Sequence, residues 1–364
     1  MAYRIPVSAP DLSGNEESYL VEALRSSWIS SSGKFVDAFE RDFATACDAR
    51  FALGVCNGTA ALHLAMLAMG LRPGDEVLVP SLTYIATANA VRYVGATPVF
   101  VDVDPTTWCI DPEMVELAIT DRTRGIIPVH LYGVPADMDE LMRIAAIHGL
   151  WVVEDAAEAH GAEYHGMRVG AIGKIGIFSF YGNKILTSGE GGAVVVNEEA
   201  LHIRLRTLRG QGVDPRRRYF HPVIGYNFRL TNLACAILCA QLERADAMVA
   251  RRRAIVQRYR DQLVPHGYFH PVPPPHAVEA PWLATFCAPY PGHRESVVHR
   301  LEAASIETRP VFVPLTLLPP YHDARGGPFD VSRSIAQSGF CLPTYVGLTD
   351  EQIDEICHII TSTP

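Results

Sequence analysis

The stretch GIFSFYGNKILTSGEGGAVVVN, residues 176–197, holds two short apolar runs of strand length, Gly176–Phe180 and Ala193–Asn197. The loop between them carries a single lysine, Lys184, and ends in Ser-Gly-Glu-Gly-Gly. Working outward, similar runs occur at Phe51–Val55, Glu76–Pro80, Thr97–Val101, Gly125–Val129 and Leu150–Glu154. Helical patterns such as Thr59–Met69, Ile85–Tyr93 and Asp137–His148 lie between the earlier ones. Strands that alternate with helices and are apolar throughout predict an α/β fold with a mostly parallel sheet covered on both faces. Sheets of this kind collect their ligands at the carboxyl ends of the strands.

Upstream, Phe35, Phe39 and Phe43 recur at helical spacing and are expected to pack that segment on the sheet. Downstream, Asn232–Leu263 reads as one long helix stopped by Pro265. The run PVPPP, residues 271–275, cannot lie in a central strand. Beyond it the pattern predicts a strand near Leu283–Ala288, a helix near Glu295–Ala304 and a closing helix near Asp350–Ile360. The expected division is a large domain over residues 1–245 and a smaller C-terminal α+β domain over 246–364.

Composition narrows the functional classes. Of 364 residues, 31 are Lys or Arg and 40 are Asp or Glu, a formal net charge of −9 that argues against a nucleic-acid partner. At 48% hydrophobic, the chain can build a sizeable core. No apolar run approaches the roughly 18 residues that cross a bilayer, and the N-terminus lacks the pattern of a secretory signal. The eight cysteines show no CxxC pair, and Cys235 and Cys239 share a helical face expected to be core. The histidines show no metal-ligand spacing. These features together read as a cytoplasmic globular protein with no membrane partner and no metal.

Three features carry chemistry. Lys184 follows a buried strand, and desolvation at such a place favours the neutral, nucleophilic amine of a lysine. Asp155 lies just past the strand Leu150–Glu154 in EDAAEAHG, where a carboxylate pairs with a ligand cation or caps the next segment. Gly58 and Thr59, in NGTAALHLA, stand at a strand-to-helix turn whose amides suit a phosphate. A Schiff-base lysine, a carboxylate for a pyridinium nitrogen and a phosphate cradle are the protein side of a pyridoxal 5′-phosphate (PLP) site. A nicotinamide-dependent dehydrogenase is disfavoured because no GxGxxG follows the first strand, and GAIGK at 170–174 fails the phosphate-loop pattern because Ile175 follows it.

The stretches NGTAALHLA, VPSLTYIATANA, PVHLYG, EDAAEAHGA, SFYGNKILTSGEGG and GYNFRLTNLACAILCAQLER resemble the DegT/DnrJ/EryC1/StrS family of nucleotide-sugar aminotransferases over nearly the whole chain. The resemblance implies the aspartate aminotransferase-like fold known as fold type I. It implies Lys184 as the lysine bonded to PLP and Asp155 as the partner of the ring nitrogen. It also implies Glu158 near the phenolic oxygen, Tyr84 stacked on the ring, and Gly58, Thr59 and Ser179 on the phosphate. Asn227 would reach the cofactor of a neighbouring subunit, so a homodimer with shared active sites is implied. Within the family, WISSSGKF, RGQGVDPRRRYFHPVIGYNFRLTN and ETRPVFVPL look like members that aminate carbon 4 of GDP-4-keto-6-deoxymannose. L-glutamate would be the amino donor. A dTDP- or UDP-linked sugar, a 3-keto sugar, or a non-catalytic PLP-fold subunit are the alternatives.

Substrate-binding candidates are Trp28, Arg217, Tyr219 and Arg309. Arg216–Arg218 reads as a solvated loop or as a clamp for the diphosphate. Trp28 and Tyr219 line the sugar or base pocket on one reading and pack in the core on the other. Many family members have Pro-x-His where this chain has Pro314-Leu315-Thr316. His160 is expected to satisfy local hydrogen bonds.

Overall fold

The computed structural model describes residues 3–214, 216, 217, 219–323 and 327–362. The central sheet contains β1 (Phe51–Val55), β2 (Glu76–Pro80), β3 (Thr97–Val101), β4 (Thr123–Ile126), β5 (Trp151–Asp155), β6 (Ile175–Ser179) and β7 (Gly192–Val196). Their order across the sheet is β1-β7-β6-β5-β4-β2-β3. From β6 to β3 every pairing is parallel, whereas β7 runs antiparallel to both β6 and β1. The mostly parallel expectation holds, and β7 is the exception for a physical reason. The loop between β6 and β7 contains no helix to carry the chain back, so β7 must return in the opposite direction. That loop holds Lys184 beside the carboxyl end of β6.

The helices are α1 (Glu16–Arg25), α2 (Lys34–Ala46), α3 (Gly58–Met69), α4 (Ala86–Tyr93), α5 (Pro112–Ala118), α6 (Met138–His148), α7 (Glu199–Arg209), α8 (Asn232–Leu242), α9 (Ala245–Leu263), α10 (His293–Ala303), α11 (Asp330–Ser338) and α12 (Asp350–Thr361). Strand side chains alternate between two cores, as the two-residue period of a strand requires. Leu78, Val152, Phe178 and Val195 join one core with Phe35, Phe39 and Phe43 of α2 and Leu141 and Ile144 of α6. The rings of Phe39 and Phe43 meet those of Phe178 and Phe180 edge-on at 5.0–5.5 Å, which is the packing the Phe35-Phe39-Phe43 spacing predicts. Val77, Val79, Val153, Ile177 and Val194 point the other way, against Leu62, Ala65 and Met66 of α3 and Ala88 and Val91 of α4.

A second sheet, β8 (Ala284–Cys287), β9 (Arg309–Pro310) and β10 (Gly339–Leu342), has the order β8-β10-β9 and is antiparallel. A third core joins Phe286 and Phe340 of this sheet to Val256 and Tyr259 of α9, Leu301 of α10 and Ile353 and Ile356 of α12. Ile5 from the N-terminal segment joins it as well.

Two expectations need correction. Asn232–Leu263 is not one helix but two, α8 and α9, separated at Glu243 and Arg244. The cause is tertiary. Glu243 accepts hydrogen bonds from Asn15 and Tyr19, and Arg244 binds Asp11 at 2.6 Å, so both are pulled toward the N-terminal segment. No glycine or proline marks the break. The strand read at Gly125–Val129 lies at Thr123–Ile126 instead. The apolar run continues past the ladder into the turn that carries His130.

Candidate active site

Loops at the carboxyl ends of the central strands enclose a cavity of about 500 Å³, within the size range of small-ligand sites. It is lined by Gly58, Thr59, Tyr84, Asp155, Glu158, Ser179, Lys184 and Arg309, eight of the residues singled out from sequence.

After β1 the chain turns at Asn57, whose side chain caps α3 by accepting the Ala60 N–H at 2.8 Å. The N–H groups of Gly58 and Thr59, in the first turn of α3, have no carbonyl to meet within the helix, and both residues line the cavity. A Cβ at residue 58 would lie 2.8 Å from the Cβ of Ser179, so only glycine lets the helix end approach β6 this closely. Two amides, a positive helix end and the Ser179 hydroxyl form an anion cradle.

Asp155 ends β5, buried, and accepts a hydrogen bond from the Thr87 hydroxyl at 2.8 Å and one from the Ala157 N–H at 3.2 Å. Burial pushes its carboxyl up from the ordinary range, against the pull of Thr87, Ala157 and Lys184. Among the described residues no cation lies within salt-bridge distance of it, so the group suits a ligand cation. Its main chain is held by the segment after β4, with His130 N–H donating to Asp155 O and Asp155 N–H donating to Pro128 O. The residue before it, Glu154, accepts the N–H groups of Gly170, Ile172 and Gly173 at 2.6–2.8 Å and also contacts His130 Nε2. His130 Nδ1 accepts the Ala136 N–H, which leaves the ring proton on Nε2, facing Glu154.

Glu158 accepts the Tyr132 N–H at 2.9 Å, and its other oxygen lies 3.4 Å from Lys184 Nζ. Burial raises its pKa, with Lys184 and the Tyr132 amide opposing. The Lys184 side chain is only 11% exposed, and its ammonium lies 3.7 Å from the centroid of the Trp282 ring.

Trp282, Tyr132 and Thr87 were not singled out from sequence, yet they shape the site. Tyr132 adopts φ 54°, a costly conformation for a bulky residue. Its N–H holds Glu158, its carbonyl accepts the Trp282 N–H at 3.0 Å, and its hydroxyl accepts the Phe312 N–H at 2.9 Å. Its ring stacks on those of Trp282 and Phe312. The next residue, Gly133, has φ 99°, and a Cβ there would fall 2.0 Å from the carbonyl oxygen of Ala280. Gly133→Ala is therefore expected to cost about 3 kcal/mol, read as a lower urea midpoint, because backbone on both sides cannot yield. The only signal in the sequence was the dipeptide Tyr132-Gly133 inside PVHLYG.

The other candidates lie elsewhere. Asn227 pairs with Gly210 in an isolated bridge and accepts from the Arg229 guanidinium. Trp28 is 61% exposed and Tyr219 is 79% exposed, so neither packs in a core. The Arg217 guanidinium lies 3.9 Å over the Phe220 ring. None of these four lines the cavity within one chain. Arg218 lies outside the described residues. His160 departs from expectation, since neither ring nitrogen has a well-formed hydrogen-bond partner. Burial against Phe178 and Phe180 lowers its pKa to about 3, so the ring is neutral. The hydroxyl of Thr316 is likewise buried without a partner.

The donor set fits PLP. It offers an anion cradle for the phosphate, a buried carboxylate in want of a cation, and a lysine among apolar and aromatic walls. Among the described residues no group of three or more His, Cys, Asp or Glu is arranged to hold a metal ion, and no helix is long and apolar enough to cross a membrane.

The model of the DegT/DnrJ/EryC1/StrS aminotransferase family matches residues 10–361. The chain is 46% identical to the GDP-perosamine synthase of Caulobacter vibrioides over 97% of this chain and 96% of that one. It is 42% identical to the GDP-perosamine synthase of Escherichia coli O157:H7, with 98% and 97% covered. Among solved structures, S. venezuelae DesV in complex with a ketimine intermediate has a TM-score of 0.90 and 39% identity, over 95% of this chain and 93% of that one.

Proposed function

The chain belongs to the DegT/DnrJ/EryC1/StrS aminotransferase family, and from that premise we propose that it transfers the amino group of L-glutamate to carbon 4 of GDP-4-keto-6-deoxymannose, giving GDP-perosamine. It is a PLP-dependent sugar transaminase. The observation that carries the substrate assignment is full-length similarity at 40–46% identity to three enzymes named for that product.

When bound, PLP supplies an aldehyde that takes up the amino group and a cationic ring that draws electrons from the reacting carbon. The residues of the chain do the rest. The amides of Gly58 and Thr59 and the Ser179 hydroxyl would hold the phosphate. Asp155, oriented by Thr87, would hold the proton on the ring nitrogen, and its carboxylate is in place before any reaction begins. Tyr84 would cover the face of the bound ring, and Glu158 would lie toward its phenolic oxygen. Lys184 would be the amine that bonds the cofactor at rest and, when free, its nitrogen would hold and move the proton. Arg309, also in the cavity lining, would offer a guanidinium to a carboxylate or phosphate.

We assign the active form as a homodimer with shared sites. The run Tyr219–Ile224 is rich in exposed apolar side chains, and Tyr219, Phe220, Val223 and Ile224 are all uncovered in a single chain. Such a patch favours a covering partner. In that arrangement Asn227 and the Arg216–Arg217 segment serve the neighbouring cavity. The cytoplasm is the compartment assigned, consistent with eight free cysteines.

Purified protein given PLP, L-glutamate and GDP-4-keto-6-deoxymannose is expected to release 2-oxoglutarate and form the 4-amino sugar. Faster turnover of a dTDP- or UDP-linked keto sugar, or amination at carbon 3, would overturn the substrate assignment while leaving the transaminase class intact.

A further inference from the structure

We propose that the indole face of Trp282 is the resting platform for the Lys184 ammonium whenever that amine is not bonded to the cofactor. The inference rests on Lys184 being the cofactor-bearing lysine and adds a positioning residue to the site.

A lysine that must leave the cofactor and return to it needs a place to wait. Released into bulk water, its four-carbon stem would sample many rotamers, and each return would pay that entropy again. Here Nζ lies 3.7 Å from the Trp282 centroid, a cation–π distance, and 3.4 Å from Glu158 Oε1. The two contacts are complementary in kind. Glu158 attracts the ammonium as a charge, and the ring holds it without taking its protons, so the amine stays free to act.

The platform is held from several directions. Trp282 Nε1–H donates to the carbonyl of Asn183 at 2.7 Å, which ties the ring to the residue just before Lys184. Arg252, fully inside the protein, donates to the Trp282 carbonyl at 2.7 Å and to the Thr344 carbonyl at 2.9 Å. Arg252 makes no salt bridge among the described residues, so a costly buried guanidinium is spent on fixing two backbone carbonyls. The ring itself stacks on Tyr132 at 6.0 Å and 11°, and Tyr132 also holds Glu158. One small assembly thus sets both partners of the ammonium.

The test reads Lys184 in the apoprotein, independently of turnover. Trace labelling with acetic anhydride, followed by peptide mass spectrometry, gives the reactivity of Lys184 relative to Lys34 and Lys174, both on the surface. Trp282→Leu is expected to raise the relative labelling of Lys184 about threefold or more, because the ammonium loses its platform. Trp282→Phe keeps a π face and is expected to stay within about twofold of the parent. Should the leucine variant not fold, Trp282→Met fills the space without a π face and replaces it. Equal labelling of parent and leucine or methionine variants overturns the proposal, as does a phenylalanine variant as reactive as leucine. Borohydride reduction of the holoenzyme, with mapping of the labelled peptide, separately reports which lysine carries PLP. A cofactor found on another lysine sinks the assignment of Lys184 without altering the labelling result.

Discussion

Lys184→Ala is expected to lower kcat for amino transfer by about 10,000-fold or more, since on the proposed assignment the variant loses both the amine that bonds the cofactor and the group that moves the proton. The loss has two readouts. PLP should still enter the cradle made by Gly58, Thr59 and Ser179 but should dialyse away, because no covalent link retains it. Added methylamine should restore part of the proton transfer, because a free amine can fill the volume that the side chain vacates. Activity within tenfold of the parent would show that Lys184 is a cavity lysine and no more. The physical basis is placement. The side chain is almost wholly enclosed, and Glu158 and Trp282 hold its nitrogen within the cavity.

The second large effect is at Asp155. Asp155→Asn keeps the shape and can still meet the Thr87 hydroxyl, but it removes the negative charge that, on the proposed assignment, keeps the ring nitrogen protonated. The expected loss in kcat is about 100- to 1,000-fold, with KM for the sugar little changed, because the interaction strengthens only as charge develops on the ring. The pH dependence follows from sign. Burial raises the carboxyl of Asp155, so it takes up a proton earlier on acidification than an exposed aspartate does. The cofactor-free parent should therefore take up PLP less well on the acid side as Asp155 is protonated, and that acid limb of PLP uptake should flatten in Asp155→Asn. An unchanged acid limb would assign it to another group, with Glu158, also raised by burial, the first to test.

Both predictions rest on residues that are legible in the sequence, and the reason is local. Lys184 is the one lysine in a glycine-rich loop after a strand, Asp155 ends an apolar strand, and Gly58 opens a helix. Each position is marked by a change in the chain's own periodicity. Thr87 carried no such mark. It is one hydroxyl among several in SLTYIATANA, and only the fold brings it 2.8 Å from Asp155, 68 residues later in sequence. Trp282 was hidden more deeply, since an aromatic residue after a proline-rich stretch reads as core. The break between α8 and α9 was illegible for a related reason. Glu243 and Arg244 are good helix formers, and their partners Asn15, Tyr19 and Asp11 lie more than two hundred residues away.

By itself, the order of apolar runs and turns determined that a mostly parallel sheet forms, covered on both faces, with a lysine, a carboxylate and a helix end at its carboxyl edge. Those are consequences of backbone hydrogen bonding and of side-chain periods of 2.0 and 3.6 residues, which act over neighbours in the chain. Tertiary structure alone decided what faces Lys184, how Asp155 is oriented, and that Asn227, Trp28, Arg217 and Tyr219 stay away from the cavity of their own chain. These contacts join residues far apart in sequence, and close packing, not local propensity, selects them.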